Sequence, residues 1–142
     1  MERPDRYSFQ CGVLAGFGEM VGMGVKALAL SHPLDSAEER DALIPFVRED
    51  CRRYGNRFYA EDELLTCDLF PASQSEGRFF LLLYREPHVL EQYLRLKERK
   101  RSLLAERAYF GGNRTQIALE FGRLLSYGDD VIRRLIAENR EG

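Results

Sequence analysis

The apolar residues near the start of the chain recur with the period of a helix and then give way to a short continuous apolar run. Within residues 10–23 they lie three or four positions apart, as on one face of an amphipathic helix. Gly24 is typical of the left-handed residue that ends a helix. Residues 25–31, VKALALS, lie between this glycine and a histidine that precedes a proline. We therefore predict a helix that leads directly into a buried strand.

The next stretch predicts a helix followed by short strands. Ser36 and Glu39 have the spacing of a capping box, in which each side chain bonds the other residue's backbone N–H. Pro45 lies inside the apolar stripe that follows, so we expect a kink or a restart of the helix there. Residues 57–60 and 65–70 predict two short strands around an acidic turn.

The last half of the chain predicts one more strand and then helices only. Residues 78–85, RFFLLLYR, are apolar on both faces, which is typical of a central strand covered on two sides. Pro87 favours the first turn of a helix, and basic residues 97–101 interrupt the apolar stripe of that helix. We expect either one long helix with a solvated middle or two helices. Two further amphipathic helices follow, the last of them capped by Asp129.

The predicted order of elements is therefore α-β-α-β-β-β-α-α-α. A strand, helix, strand succession implies one parallel crossover, and the later connections are short enough for hairpins. We predict an α/β fold, with α+β as the alternative, built on a mixed sheet of about four strands with flanking helices. A single domain is expected over residues 1–142, with an α/β part at about 7–86 and a helical part at about 87–140.

Composition places the chain among ordinary globular proteins. Of its 142 residues, 44% are hydrophobic and 31% are charged, which suits one domain with one core. No apolar stretch reaches membrane-spanning length, and the first nine residues lack the apolar region of a secretory signal. The three cysteines lack metal-site spacing and are expected to be reduced thiols. We predict a bacterial-type cytoplasmic protein with neither membrane association, metal nor cofactor.

Charge is unevenly distributed along the chain. Residues 1–94 hold 10 Lys and Arg against 16 Asp and Glu, whereas residues 95–142 hold 11 against 7. The basic second part indicates either an anionic partner or two oppositely charged surfaces that meet in the fold or across an oligomer. The basic segment 95–101 is the best nucleic-acid candidate. Its charges encircle the predicted helix, however, and no aromatic residue lies among them, so nucleic acid is a disfavoured partner.

Glycines on the first helix form a further pattern. Gly12, Gly16 and Gly22 fall on one face together with Glu19. Because each glycine weakens a helix by about 1 kcal/mol relative to alanine, we expect this face to allow close approach of another helix. A second copy of the chain is one such partner, so we predict a homo-oligomer. Glu19 either binds a ligand in a cleft on this face or, as we favour, pairs with Lys26 or with an arginine of another helix.

A phosphate-binding loop does not explain these glycines. The dinucleotide-binding pattern needs GxGxxG after a strand and before a helix. Here Gly16 and Gly18 are followed by a third glycine one position late, inside a predicted helix.

The end of the first strand is the place where chemistry is expected. His32 lies just beyond that strand, and His88 lies shortly after the central strand, beside Arg85 and Glu86. If the two strands are parallel, all four side chains emerge at one edge of the sheet, where ligands bind in open α/β folds. Arg85 and Glu86 would then bind a ligand, and His32 and His88 would transfer protons.

The last two predicted helices resemble a helix-turn-helix motif over fewer than thirty residues. Ile117, Ala118, Phe121 and Gly122 occupy positions that suit that motif. Arg123 and Gly128 occupy positions at which the motif has apolar residues. We therefore predict a plain helical hairpin.

The sequence leaves three functional hypotheses. The first, which we favour, is a self-associating domain that binds a small ligand or a protein partner. The second is a small enzyme built on His32 at the edge of the sheet. The third is a nucleic-acid-binding module that uses segment 95–101.

Overall fold

A computed structural model of the chain describes residues 5–139. They form seven helices and three strands. The helices are α1 (Arg6–Gly22), α2 (Ala37–Ala42), α3 (Ile44–Tyr54), α4 (Ala72–Ser75), α5 (Pro87–Ala105), α6 (Gly111–Leu124) and α7 (Asp129–Asn139). The strands are β1 (Leu28–Leu30), β2 (Arg57–Glu61) and β3 (Phe80–Tyr84). The predicted domain also includes residues 1–4 and 140–142, which lie outside the described residues.

The sheet has the order β1-β3-β2, and β3 pairs antiparallel with both neighbours. The predicted combination of helices and strands is confirmed. The expectation of about four strands is wrong, and so is that of a mixed sheet with a parallel crossover, because β1 and β2 both pair antiparallel with β3. Residues 65–70 do not form a strand. Their polar backbone is held instead by side chains of α5, because the Tyr93 hydroxyl accepts from Leu65 N–H at 3.0 Å and Lys100 Nζ donates to Thr66 O.

The central strand β3 separates two hydrophobic cores. Leu81 and Leu83 face α1 and α3, whereas Phe80, Leu82 and Tyr84 face α5, α6 and α7. All five residues of β3 are buried, which confirms the prediction of a strand covered on both faces. The two predicted parts of the chain therefore share β3 as a common layer.

Several local signals are confirmed. Ser36 accepts from Glu39 N–H at 3.0 Å and caps α2. The return bond of the predicted capping box is shifted by one residue, since the Glu39 carboxylate accepts from Asp35 N–H at 3.0 Å. The predicted restart at Pro45 is the boundary at which α2 ends and α3 begins. Gly24 adopts φ +79°, the left-handed conformation expected after a helix. The basic segment lies within one continuous helix, α5, so the two-helix alternative is wrong.

The acidic and basic parts of the chain meet inside the fold. Buried Glu61 accepts from the Tyr93 hydroxyl at 2.6 Å and from Lys97 Nζ at 2.9 Å. Buried Asp68 accepts two bonds of 2.7 Å from the Arg114 guanidinium. These contacts attach the end of β2 and the segment after it to α5 and α6. They support the hypothesis that oppositely charged surfaces meet within the chain.

The three cysteines are free thiols. Burial raises the pKa of both Cys51 and Cys67 to about 11. Neither is therefore a thiolate, the nucleophilic form of cysteine, near neutral pH. Within residues 5–139, no helix is long and apolar enough to cross a membrane.

Candidate binding site

A cavity of about 240 Å³ opens at the β1 edge of the sheet. It lies between α1, the segment that follows β2, and the turn between α6 and α7. Much of its wall is apolar, with side chains from each of these regions: Val13, Phe17, Leu30, Leu64, Phe70 and Tyr127. We call this space the β1-edge cavity.

A β-bulge places His32 at the rim of the β1-edge cavity. Beyond the pair Leu30–Leu82 the next bridge is Leu34–Phe79, so residues 31–33 oppose only two residues of the partner strand. Such an extra residue bends a strand and redirects its side chains. The Ser31 hydroxyl stabilises the bulge, since it accepts from Leu81 N–H at 2.9 Å and donates to His32 O at 3.0 Å.

The His32 ring is held from one side only. Its edge lies against Phe9, with ring centroids 5.9 Å apart, and Nδ1 lies 3.3 Å from Pro33 O. A hydrogen bond from Nδ1 to that carbonyl places the free lone pair on Nε2. Because His32 is an exposed residue that lines the cavity, we infer that Nε2 is available to a ligand at the rim.

A small charged cluster lies beside this rim. Arg6 bonds both Asp35 and Glu39, and Arg78 donates to Asp35 at 2.7 Å. The hydrogen bond from Arg6 is the largest cause that lowers the pKa of Glu39. Because the arginines already satisfy these carboxylates, the cluster is a structural clamp between α1 and α2.

The other predicted site residues lie at the opposite end of the sheet. The parallel arrangement of β1 and β3 on which their convergence depends does not occur, because Leu28 pairs with Tyr84 in an antiparallel register. Arg85 therefore follows β3 beside the beginning of β1, whereas His32 follows the end of β1. The antiparallel pairing thus prevents His32 from converging with Arg85, Glu86 and His88.

Each of these three residues has its own environment. Arg85 donates to Gly22 O at 2.9 Å at the end of α1, which satisfies a carbonyl that has no partner within the helix. Glu86 precedes the first residue of α5. His88 lines a groove between α5 and α6.

Glu19 is exposed and lines none of the main cavities. The predicted pairing of Glu19 with Lys26 is not formed. Lys26 Nζ instead donates to Leu125 O at 2.6 Å and lies 4.9 Å from the ring centroid of Tyr127. These two contacts hold the turn between α6 and α7 against the end of α1. The burial that goes with them lowers the pKa of Lys26.

The glycines of α1 are divided between two faces. A Cβ added at Gly22 would lie 2.7 Å from Tyr54 Cβ, and one at Gly18 would meet Asp50. Gly12 and Gly16 have nothing within 4 Å of such a Cβ. The single close-packed face that we predicted for Gly12, Gly16 and Gly22 is therefore wrong, because α3 crosses α1 at Gly18 and Gly22.

Segment 95–101 distributes its cations around α5, as the sequence predicts. Lys97 bonds Glu61 and Lys100 bonds the Thr66 carbonyl, both on the side of the β2–α4 segment. Arg99 bonds Glu120 on α6. No single face of the helix therefore collects the charge of this segment.

Sequence reasoning located His32 but missed the walls of its cavity. Phe17, Phe70 and Tyr127 come from three distant parts of the chain and meet only in the folded protein. Their apolar character was the only feature in the sequence that could have indicated a cavity wall. Every core residue has the same character, so it does not distinguish the two.

Comparison with known proteins supplies no further guide to function. No family model, curated protein or solved structure matches this chain. Among residues 5–139, no three His, Cys, Asp or Glu side chains are grouped so that they could hold a metal ion.

Proposed function

We propose that this protein is a binding domain that takes the apolar part of a ligand into the β1-edge cavity. The supporting observation is the cavity itself, with about 240 Å³ of largely apolar space at the open edge of the sheet. Ligand sites are typically concave and mostly apolar, with a few polar groups that orient the ligand. Since an apolar cavity of about 150 Å³ already binds benzene, this space suffices for an aromatic ring with a short tail.

The rim favours a ligand with one hydrogen-bonding head group. The exposed side chains of His32 and Gln74 lie there. The hydroxyls of Ser31 and Ser75 are already engaged with the backbone. The ligand class that suits this arrangement is therefore a small amphipathic molecule, with its ring or acyl chain inside and an alcohol or carboxylate at His32.

We expect Val13→Trp to abolish binding of 3-phenylpropanol. Val13 is half-buried and lines the cavity from α1, so an indole at this position occupies the space that the probe needs. In wild-type protein the probe should shift the amide resonances of residues 30–32 in ¹H–¹⁵N NMR spectra. The titration should saturate with a dissociation constant in roughly the millimolar range expected for so small a ligand.

The matched control is Val25→Trp. Val25 is 62% exposed and lies outside the cavity, so this variant should bind the probe as the wild-type protein does. Shifts that persist in Val13→Trp, or that never saturate in the wild-type protein, would contradict the proposed site.

A second candidate function, self-association, is supported by the outward face of α1. Phe9, Met20 and Met23 on this face are 49%, 38% and 71% exposed. Gly12 and Gly16 lie between them with open space above. We call these five residues the α1 stripe. An exposed apolar strip with a shallow centre suits close packing of a second helix, and we propose that the α1 stripe of a second copy packs there in a symmetric dimer.

Gly16→Leu should dissociate this dimer and leave the monomer folded. The new side chain has room within the monomer, but it separates two helices that cross at this point. Sedimentation velocity over a concentration series measures the change. Gly112→Leu, at an exposed glycine of α6 with equal free space, is the control that should remain dimeric. A monomeric wild-type protein, or a dimeric Gly16→Leu variant, would refute the proposal.

A further inference from the structure

The largest cavity among the main cavities of the described residues is a groove of about 570 Å³ between α5 and α6. Its floor is apolar and is formed by Val89 and Leu96 of α5 and Leu124 of α6. Both helices present a continuous line of side chains to it, which extends on α5 from His88 to Arg99. At 1.5 Å of rise per residue, this line is about 16 Å long. The groove therefore has the length of about three turns of helix.

Arginines form the rim of this groove. Arg95 is exposed and makes neither a hydrogen bond nor an ion pair with any residue from 5 to 139. Arg99 reaches across the groove to Glu120, and both side chains are more than one-third exposed. Arg123 bonds Asp129 at 3.0 Å. The rim thus carries one uncompensated positive charge and two that are engaged only at the surface.

We propose that this groove binds an acidic amphipathic segment of a partner protein. A guanidinium recognises a carboxylate through two parallel hydrogen bonds, and Arg95 has all of its donors free for such a contact. The apolar floor accepts side chains that recur every three or four residues along a helix, as in other helix-in-groove complexes. Charge at the rim and apolar surface below match the two faces of such a segment.

A nucleic acid fits the groove less well than an acidic peptide. Phosphates bind to positively charged side chains and gain nothing from contact with an apolar floor. Bases bind by stacking on aromatic rings. The lining has no aromatic residue other than His88, and Glu120 within it repels phosphate.

Glu120 occupies in the free protein the place that a partner carboxylate would take. Its carboxylate bonds the Arg99 guanidinium across the groove. Because exposed ion pairs of this kind contribute about 0–1 kcal/mol, a partner carboxylate can displace Glu120. Removing the charge of Glu120 should therefore strengthen binding of the acidic segment.

The test uses a fluorescein-labelled synthetic peptide of about 15 residues, with Leu at helical spacing and Glu at most other positions. Fluorescence anisotropy at low salt should detect binding to the full-length protein. Arg95→Ser combined with Arg99→Ser should weaken it about tenfold, which lies within the range for two exposed charge pairs. Glu120→Gln should tighten binding about threefold.

Controls separate this groove from general charge attraction. Arg101→Ser removes a charge of α5 that lies outside the groove and should leave binding unchanged. A peptide of equal composition with its leucines out of helical register should bind at least fivefold more weakly. The proposal is overturned if both peptides bind equally, if Arg95→Ser with Arg99→Ser has no effect, or if an oligonucleotide binds more tightly than the amphipathic peptide.

Discussion

Arg114→Met should lower the free energy of unfolding by about 3 kcal/mol, the lower end of the range for removing one partner of a buried ion pair. The Asp68 side chain is only 6% exposed and accepts two bonds of 2.7 Å from Arg114. Methionine replaces the length of the arginine but neither its charge nor its donors. The remaining carboxylate is then buried without its main compensation. Nearby Lys100 supplies a second positive charge, which limits the loss.

Urea denaturation of the wild-type protein and two further variants checks this expectation. Asp68→Asn added to Arg114→Met removes the stranded charge and should recover much of the lost stability. Arg123→Met breaks the exposed pair with Asp129 and should change stability by less than about 1 kcal/mol. The interpretation fails if Arg114→Met and Arg123→Met have equally small effects.

Gly22→Leu should destabilise the protein by about 1–3 kcal/mol through overpacking. The first carbon of any side chain at this position would lie 2.7 Å from Tyr54 Cβ. Tyr54 Cβ is bonded directly to the backbone of α3, so it cannot rotate away as the end of a long side chain would. Relief of the clash requires α1 and α3 to separate, which also loosens the core on that face of the sheet.

Gly16→Leu is the matched comparison on the same helix. Nothing lies within 4 Å of a Cβ at Gly16, and leucine is a better helix former than glycine by roughly 0.8 kcal/mol. Monomer stability in urea should therefore be unchanged or slightly increased. Equal destabilisation by Gly16→Leu and Gly22→Leu would contradict the prediction, because it would mean that contact with Tyr54 does not cause the loss of stability at Gly22.

The local features of the fold could be predicted because neighbouring residues cause them. Ser36 and Glu39 interact across three residues. The proline at position 45 prevents one regular helix from continuing through it, because its ring clashes with the preceding turn. The run 78–85 is apolar on both faces, which required two covering layers. Each of these signals involves backbone geometry or patterning within one element, and each is confirmed.

The predictions that were wrong concern contacts between elements that are distant in the sequence. Residues 65–70 have a strand-like composition, yet their backbone groups bond side chains of helices, namely Tyr93 and Lys100 of α5 and Asn139 of α7. A strand needs a neighbour with free backbone groups, and local composition does not report whether one is available. The same limit applies to the α1 glycines, since only the path of α3 distinguishes Gly22 from Gly16.

For the candidate site, the sequence by itself determined that His32 follows a buried strand and is kept extended by the proline after it. It also determined the apolar residues from which a cavity wall can be built. Only the tertiary structure decided the antiparallel pairing of β1 with β3, which places His32 at one end of the sheet and Arg85 at the other. Strand direction depends on which backbone groups pair between strands that are distant in the sequence. The side chains of an apolar strand are buried equally well in a parallel and in an antiparallel pair, so the sequence pattern does not indicate the direction.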